Sequence, residues 1–228
     1  MSFCADCFKA VVHEGTPKGE MVEIGGVQCY VAMPNVEYPK DKVVLFLTDA
    51  CGLGLPNNKL LADDFARNGF KTIVPDLFSG DAVPESAFEP DAPPFDWQKW
   101  VTRHGAAETR PLLDAMVAAL QDQHGVVAMA GTGYCFGGRY VFDLALEGII
   151  TVAAVAHPSL LKAPDDFEKY LATATAPLLI NSCTIDQAFP PEMQAQADTI
   201  LGDMNDPKVK AGKEGAFKAT VDWFLEYL

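Results

Sequence analysis

The residues with the greatest chemical reach in this 228-residue chain lie in Gly133-Tyr134-Cys135-Phe136-Gly137. Glycine, spacer, thiol, spacer, glycine is the pattern of a nucleophile raised on a sharp turn. The apolar stretch Val126–Ala130 before it reads as a strand and Gly137–Leu146 after it as a helix. Strand, turn and helix in that order give the pattern its meaning. In such a turn the Cys135 sulfur stands clear of the sheet, and the N–H of Phe136 points to where an oxyanion develops. The start of a helix also favours thiolate over thiol. The chemistry expected is attack on a carbonyl carbon.

A nucleophile of this kind needs an acid and a base, and in a strand–turn–helix setting they follow it in the order acid, then histidine. Asp186 fits the acid, since it comes just after the apolar strand Pro177–Asn181. Its plainer reading is a turn or capping aspartate before Pro190-Pro191. The four histidines are His13, His104, His124 and His157, and none follows Asp186. His157 ends the strand Ile150–Ala156 and is the substitute base to consider, although His157-Pro158-Ser159 also reads as a turn with a locally bonded imidazole. His104 and His124 are expected at the surface.

Asp49 ends the strand Lys42–Thr48. A carboxylate there can hold the resting thiol and control its ionisation, while the N–H of Ala50 completes an oxyanion hole. The plainer reading is a solvated loop aspartate. Cys51 is a second thiol nearby, for which packing is the plainer role. Arg139 pairs either with an acidic neighbour or with a substrate carboxylate, and the sequence leaves both open. Tyr134, beside the thiol, is a further candidate for support or substrate contact.

The elements that must position these residues are legible as an alternation. Met21–Ile24 and Val27–Ala32, joined by Gly25-Gly26, read as a hairpin. Lys42–Thr48 is a doubly covered strand, followed by a helix over about 57–68 and a short strand, Phe70–Pro75. Residues 79–95 are rich in Pro, Asp and Gly and read as a long surface loop of the lid or binding type. A helical region including Pro111–Gln121 precedes the nucleophile strand. Helices are expected at Pro191–Leu201 and Val209–Leu228. Strands alternating with helices predict one α/β domain over residues 1–228, with a mostly parallel sheet covered by helices on both faces. Ligands then collect at the carboxyl ends of the strands.

One junction breaks the pattern. Between Leu201 and Gly202 two helices follow one another with no strand between them, at the place where the histidine is also wanted. A strand and a histidine loop, about 15–20 residues, are expected to be missing there.

A net charge of −14 repels phosphate backbones, so no nucleic-acid partner is expected. No apolar run is long enough for a membrane span. The first residues carry neither a basic nor an apolar leader, and a cytoplasmic location is expected. Cys4-Ala-Asp-Cys7 with His13 nearby lacks the further ligands of a zinc site and the strand–helix setting of a redox pair. No metal and no cofactor are expected, and monomer and homodimer both stay open.

At these residues the chain resembles the dienelactone hydrolase family of the α/β-hydrolase fold, and its fungal members in particular. The likeness runs from Cys4 to Leu228. It is carried by CADC with the following HEGTPKGE, by NNKLLADDFARNGFKTIVPDLFSGD, GYCFGGRYVFDLA and AHPSLL, and by KEGAFKATVDWFLEYL. The resemblance implies hydrolysis of small esters or lactones by a Cys-Asp-His triad through a thioester. Cys135 would be the nucleophile, Asp186 the acid, and Asp49 would stand where the family usually has a thiol-contacting glutamate. The family's histidine lies in an HGF-type segment, followed by a substrate-binding arginine. Both belong between Leu201 and Gly202 and are missing here. Two other readings compete: a degenerate member that binds a small molecule without turnover, and a lyase or isomerase with Asp49 or His157 as base.

Overall fold

The computed structural model describes residues 15–89, 91–202, 209–212 and 216–228. Cys4, Cys7 and His13 lie outside the described residues. The chain packs as two compact units, one ending at Val127 and the other spanning Ala128–Leu228.

The first unit opens with strands β1 (Glu20–Ile24) and β2 (Val27–Ala32), paired antiparallel from Glu20↔Val31 to Ile24↔Val27. Gly25 and Gly26 both have positive φ, 60° and 78°, as the tight loop between them demands. β2 pairs antiparallel with β4 (Thr72–Pro75), which pairs parallel with β3 (Lys42–Leu47), giving the order β1-β2-β4-β3. Helix α1 (Pro56–Arg67) lies against β2 and β4 and buries Leu60, Leu61 and Phe65. α2 (Trp97–Arg103) and α3 (Ala106–Asp122) follow. The loop before α2 carries a 3-10 turn, Glu85–Phe88.

That loop is fastened at its start. Asp81 Oδ2 accepts from His104 Nε2 at 2.8 Å and pairs with Arg103 at 2.9 Å, and the Asp81 carbonyl accepts the Trp100 indole N–H at 2.8 Å. His104 is therefore buried, 7% exposed, with its ring against Phe78 and Trp100. This corrects the surface placement expected for it. The imidazole can go inside because its Nε2 reaches the carboxylate of Asp81, which itself stays exposed, while the ring packs on Phe78 and Trp100. His124 is exposed as expected.

The second unit contains β5 (Ala128–Tyr134), α4 (Phe136–Leu146), β6 (Val152–Ala156), α5 (Asp165–Thr173), β7 (Leu178–Asn181), α6 (Pro191–Leu201), β8 (Val209–Gly212) and α7 (Ala216–Tyr227). Its strands run parallel in the order β5-β6-β7-β8. Every residue of β6 and β7 is buried, so both faces of these strands are covered. α4 packs on β5 and β6, and α7 on β6 and β7.

Two expectations fail here. Residues 209–228 are not one helix. Val209–Gly212 extends as β8 beside β7, with Leu178↔Val209 through Asn181↔Gly212 in register, and the helix begins only at Ala216. Gly212 suits a break, since a glycine costs a helix about 1 kcal/mol. The strand thought absent between the last two helices is thus present, while no histidine or arginine follows Asp186 in the sequence. α5 was also unforeseen; its acidic first turn, Asp165, Asp166 and Glu168, suits the positive end of the helix dipole.

Candidate active site

β5 is longer than its apolar residues suggest and carries the chain through Gly131, Thr132 and Gly133 to Tyr134. These glycines are there for space. A Cβ on Gly131 would meet the Ile150 side chain at 2.7 Å, and one on Gly133 would meet the backbone C and O of Gly137 at 2.7 Å. Gly138 is equally close to Pro158, at 2.7 Å. The strand and the helix approach so tightly that the chain between them must reverse in one residue.

That residue is Cys135, at φ 49° and ψ −111°. A non-glycine residue held in sparsely populated backbone space costs of order 1–3 kcal/mol, and such strain concentrates at functional sites. Its backbone is clamped on both sides. The Cys135 N–H donates to the Ala156 carbonyl at 3.1 Å, and the Cys135 carbonyl accepts from Ser159 N–H at 2.9 Å and Gly138 N–H at 3.1 Å. The side chain is 5% exposed, and its thiol donates to Ser159 Oγ across 3.9 Å. Phe136 opens α4, so its N–H belongs to the first turn, whose amides have no acceptor within the helix.

Ser159 is the residue that the sequence reading missed. It is 1% exposed and touches the nucleophile turn through both backbone and hydroxyl. A hydroxyl three residues past the end of an apolar strand was the available signal.

His157 also has positive φ, 38°, and its N–H donates to the Asn181 carbonyl at 2.9 Å. Its ring stands edge-on to Tyr134, centroids 6.1 Å apart. Burial raises the Tyr134 phenol well above its ordinary range, so it stays protonated at neutral pH.

Asp186 is 5% exposed. Its Oδ1 accepts from Ala188 N–H at 2.8 Å and Phe189 N–H at 2.9 Å, which fixes the loop ahead of α6. Its Oδ2 is buried with no hydrogen-bond partner among the described residues. The Asp186–His157 pair that a substitute triad would need is therefore not formed. An unsatisfied buried acceptor costs about 1–3 kcal/mol, more when charged.

Arg139, left open by the sequence, faces two acids. Its Nη2 lies 2.5 Å from Asp143 and its Nη1 2.5 Å from Asp166. Burial works against the guanidinium charge, but the hydrogen bonds and charges of Asp143 and Asp166 outweigh it and raise the pKa. Its observed role is to tie α4 to α5.

In the first unit Asp49 is half-buried, and its Oδ1 accepts from Cys51 N–H at 2.9 Å and Asn58 Nδ2 at 3.2 Å. It is a bonded carboxylate and not the solvated one of the plainer reading. Cys51 and Ala50 are each 1% exposed, and the Ala50 carbonyl accepts the Val83 N–H at 2.9 Å. This unit also holds a cavity of about 550 Å³ lined by Lys18, Val22, Ile24, Met33, Asp63 and His124, among others, which contains none of the candidate residues. No group of three or more metal-binding side chains occurs among the described residues.

A strained thiol-bearing turn from a parallel strand into a helix, with a carboxylate past the parallel strand two places along the sheet, is the arrangement of an α/β-hydrolase. The solved dienelactone hydrolase from Anabaena variabilis superposes with a TM-score of 0.61, covering 95% of this chain and all of that one at 17% identity, which shows the fold. The dienelactone hydrolase family model matches residues 27–212, and the chain belongs to that family. A hydrolase named pyvD from Aspergillus violaceofuscus is 34% identical over 97% of this chain and 96% of its own length. Dienlactone hydrolase 1 of Gibberella moniliformis is 29% identical over 95% and 91%. The alignment with the Aspergillus protein runs 248 positions while using 97% of 228 residues, so more than twenty positions fall opposite gaps in this chain.

Proposed function

We propose that this dienelactone hydrolase-like protein cleaves small esters or lactones with Cys135 as nucleophile, through a thioester. The observation that carries the reading is the backbone of Cys135: a thiol fixed at φ 49° on a turn with no room for side chains on either side. Strain of this kind persists only where the surroundings impose it. In the reaction, Cys135 thiolate adds to the carbonyl carbon and the Phe136 N–H receives the charge that builds on oxygen. The C–O bond breaks, the alcohol leaves with a proton, and water then cleaves the thioester. Asp186 is the acid of the triad. The base of the triad is the histidine that family membership implies at Leu201–Gly202; an Asp186 Oδ2 without a donor among the described residues is what a triad lacking that histidine would leave.

The test is hydrolysis of a panel of p-nitrophenyl esters and lactones. Cys135→Ala should lose about a thousandfold or more in rate, and a thiol alkylator should do the same to the unmodified protein. Undiminished turnover in the variant refutes the assignment. The competing reading is binding without turnover. It predicts a flat assay over the whole panel together with measurable ligand binding.

A further inference from the structure

Among the described residues four that are not glycine have positive φ, and three of them meet at the nucleophile turn: Cys135 at 49°, His157 at 38° and Leu160 at 66°. The usual non-glycine visitors to this region are Asn, Asp and His, so a leucine there marks strain that its surroundings impose. The residues between His157 and Leu160 are Pro158 and Ser159. Pro158 stands so near α4 that a Cβ on Gly138 would meet it at 2.7 Å. Ser159 is 1% exposed. Its N–H donates to the Cys135 carbonyl at 2.9 Å, and its Oγ accepts from the Cys135 thiol at 3.9 Å. Any residue except proline can make the backbone bond. The hydroxyl needs a separate reason, because an alanine would sit in the same place with no polar atom to satisfy.

We propose that Ser159 is a positioning residue for the nucleophile, its hydroxyl accepting from Cys135 as thiol and donating to it as thiolate. The proposal rests on the reading of Cys135 as nucleophile. A serine hydroxyl carries one O–H and two lone pairs and turns about its C–O bond, so it serves both states of the sulfur without a backbone movement. The bond present in the structure is long and neutral. Its reverse, from O–H to thiolate, is charge-assisted and the stronger of the two. The balance therefore favours the ionised sulfur.

Ser159 takes no part in the bond changes. The thiol proton goes to the base of the triad, and the hydroxyl keeps its own. As the C–S bond forms, the sulfur loses its charge and the hydroxyl turns away. When water cleaves the thioester, the C–S bond breaks and the hydroxyl again meets a thiolate, now as leaving group. The titratable and charged side chains on the elements around this turn in the second unit are Tyr134 on β5, Arg139 and Asp143 on α4, His157 before Pro158, and Asp186 after β7. All of them are retained when the Ser159 hydroxyl alone is removed.

The experiment is alkylation by iodoacetamide between about pH 5 and 10, with peptide mapping to follow Cys135 apart from Cys29, Cys51 and Cys183. Ser159→Ala keeps the backbone bond and loses only the hydroxyl. Its midpoint should lie roughly one pH unit higher, so that alkylation below both midpoints is about tenfold slower. Ser159→Thr restores a hydroxyl and should return the midpoint toward that of the unmodified protein. A merely looser pocket would change the rate at every pH and leave the midpoint where it was. An unmoved midpoint in Ser159→Ala, or a shift that persists in Ser159→Thr, overturns the proposal. Mixing the same proteins with p-nitrophenyl acetate keeps the two readings apart. Acetylation of Cys135 together with an unmoved midpoint sinks the role of Ser159 and leaves the nucleophile. A moved midpoint in a protein whose Cys135 no ester acylates sinks the nucleophile and leaves only the contact between hydroxyl and sulfur.

Discussion

A side chain at φ 49° and ψ −111° occupies backbone space that a glycine enters freely and other residues avoid. The cost can be read out directly at Cys135. Cys135→Gly relieves the strain and Cys135→Ala does not, so the glycine variant should be the more stable of the two by about 1 kcal/mol in denaturant melts, although both are inactive. Gly133→Ala should act in the opposite sense. Its Cβ would press on Gly137 and Gly138 backbone atoms at 2.7 to 2.8 Å, so α4 must shift. A loss of about 1–3 kcal/mol is expected, with reduced thiol reactivity toward an alkylating probe. At this scale much was legible. The spacing of Gly133, Cys135 and Gly137 announced the turn, and the place of Asp186 after the strand Leu178–Asn181 was readable from the apolar run before it. Arg139 was not decided by sequence, because Asp166, which helps to fix it, lies 27 residues away. Ser159 was overlooked because its meaning lies in a contact with Cys135.

Elements are held by a few polar ties between otherwise apolar layers. Arg139 joins α4 to α5 through Asp143 and Asp166, and Asp166 Oδ2 also accepts the Lys162 N–H at 2.6 Å. Arg139→Ala leaves two partly buried carboxylates without their cation and should lower stability by roughly 1–3 kcal/mol. The same thermal melts should show Arg139→Lys recovering only part of this, since lysine cannot serve both acids with a fork. In the first unit, Asp81 anchors the start of the loop to the end of α2 through His104, Arg103 and Trp100. Asp81→Ala should speed cleavage within residues 79–95 in limited proteolysis, while leaving far-ultraviolet circular dichroism unchanged. The β1–β2 hairpin and β3 were readable from period and turn chemistry. β8 was not: four residues, VKAG, give too short a pattern, and its identity comes from pairing with β7. α5 was hidden because few apolar residues mark its inward face, with Phe167 and Tyr170 its only buried positions.

Across the whole molecule, buried weak acids set the alkaline limit. Burial, with the nearby Asp76 charge, pushes the Cys29 thiol from 9.0 up to about 12. Burial also raises the Tyr30 and Tyr170 phenols, the first further through its hydrogen bond to Asp63. The unfolded chain releases these protons near their ordinary values while the folded chain keeps them. Stability from this source is complete below pH 9.0 and is lost as pH rises toward about 12. Denaturant midpoints should fall over that window, and Cys29→Ala should flatten the decline. The fold as a class was visible in the alternation of elements, since buried parallel strands write themselves as unbroken apolar runs. What the sequence could not display is which buried atoms go without partners among the described residues, as Asp186 Oδ2 does.

The measurement closest to the central claim is trapping of the covalent intermediate. After brief mixing with p-nitrophenyl acetate and acid quenching, intact mass and peptide mapping should find one acetyl group per chain on the peptide containing Cys135. With the Asp186–His157 pair unformed, that adduct should accumulate and decay slowly. Product release with Cys135 unmodified, or an acetyl group that persists in Cys135→Ala, would contradict the account.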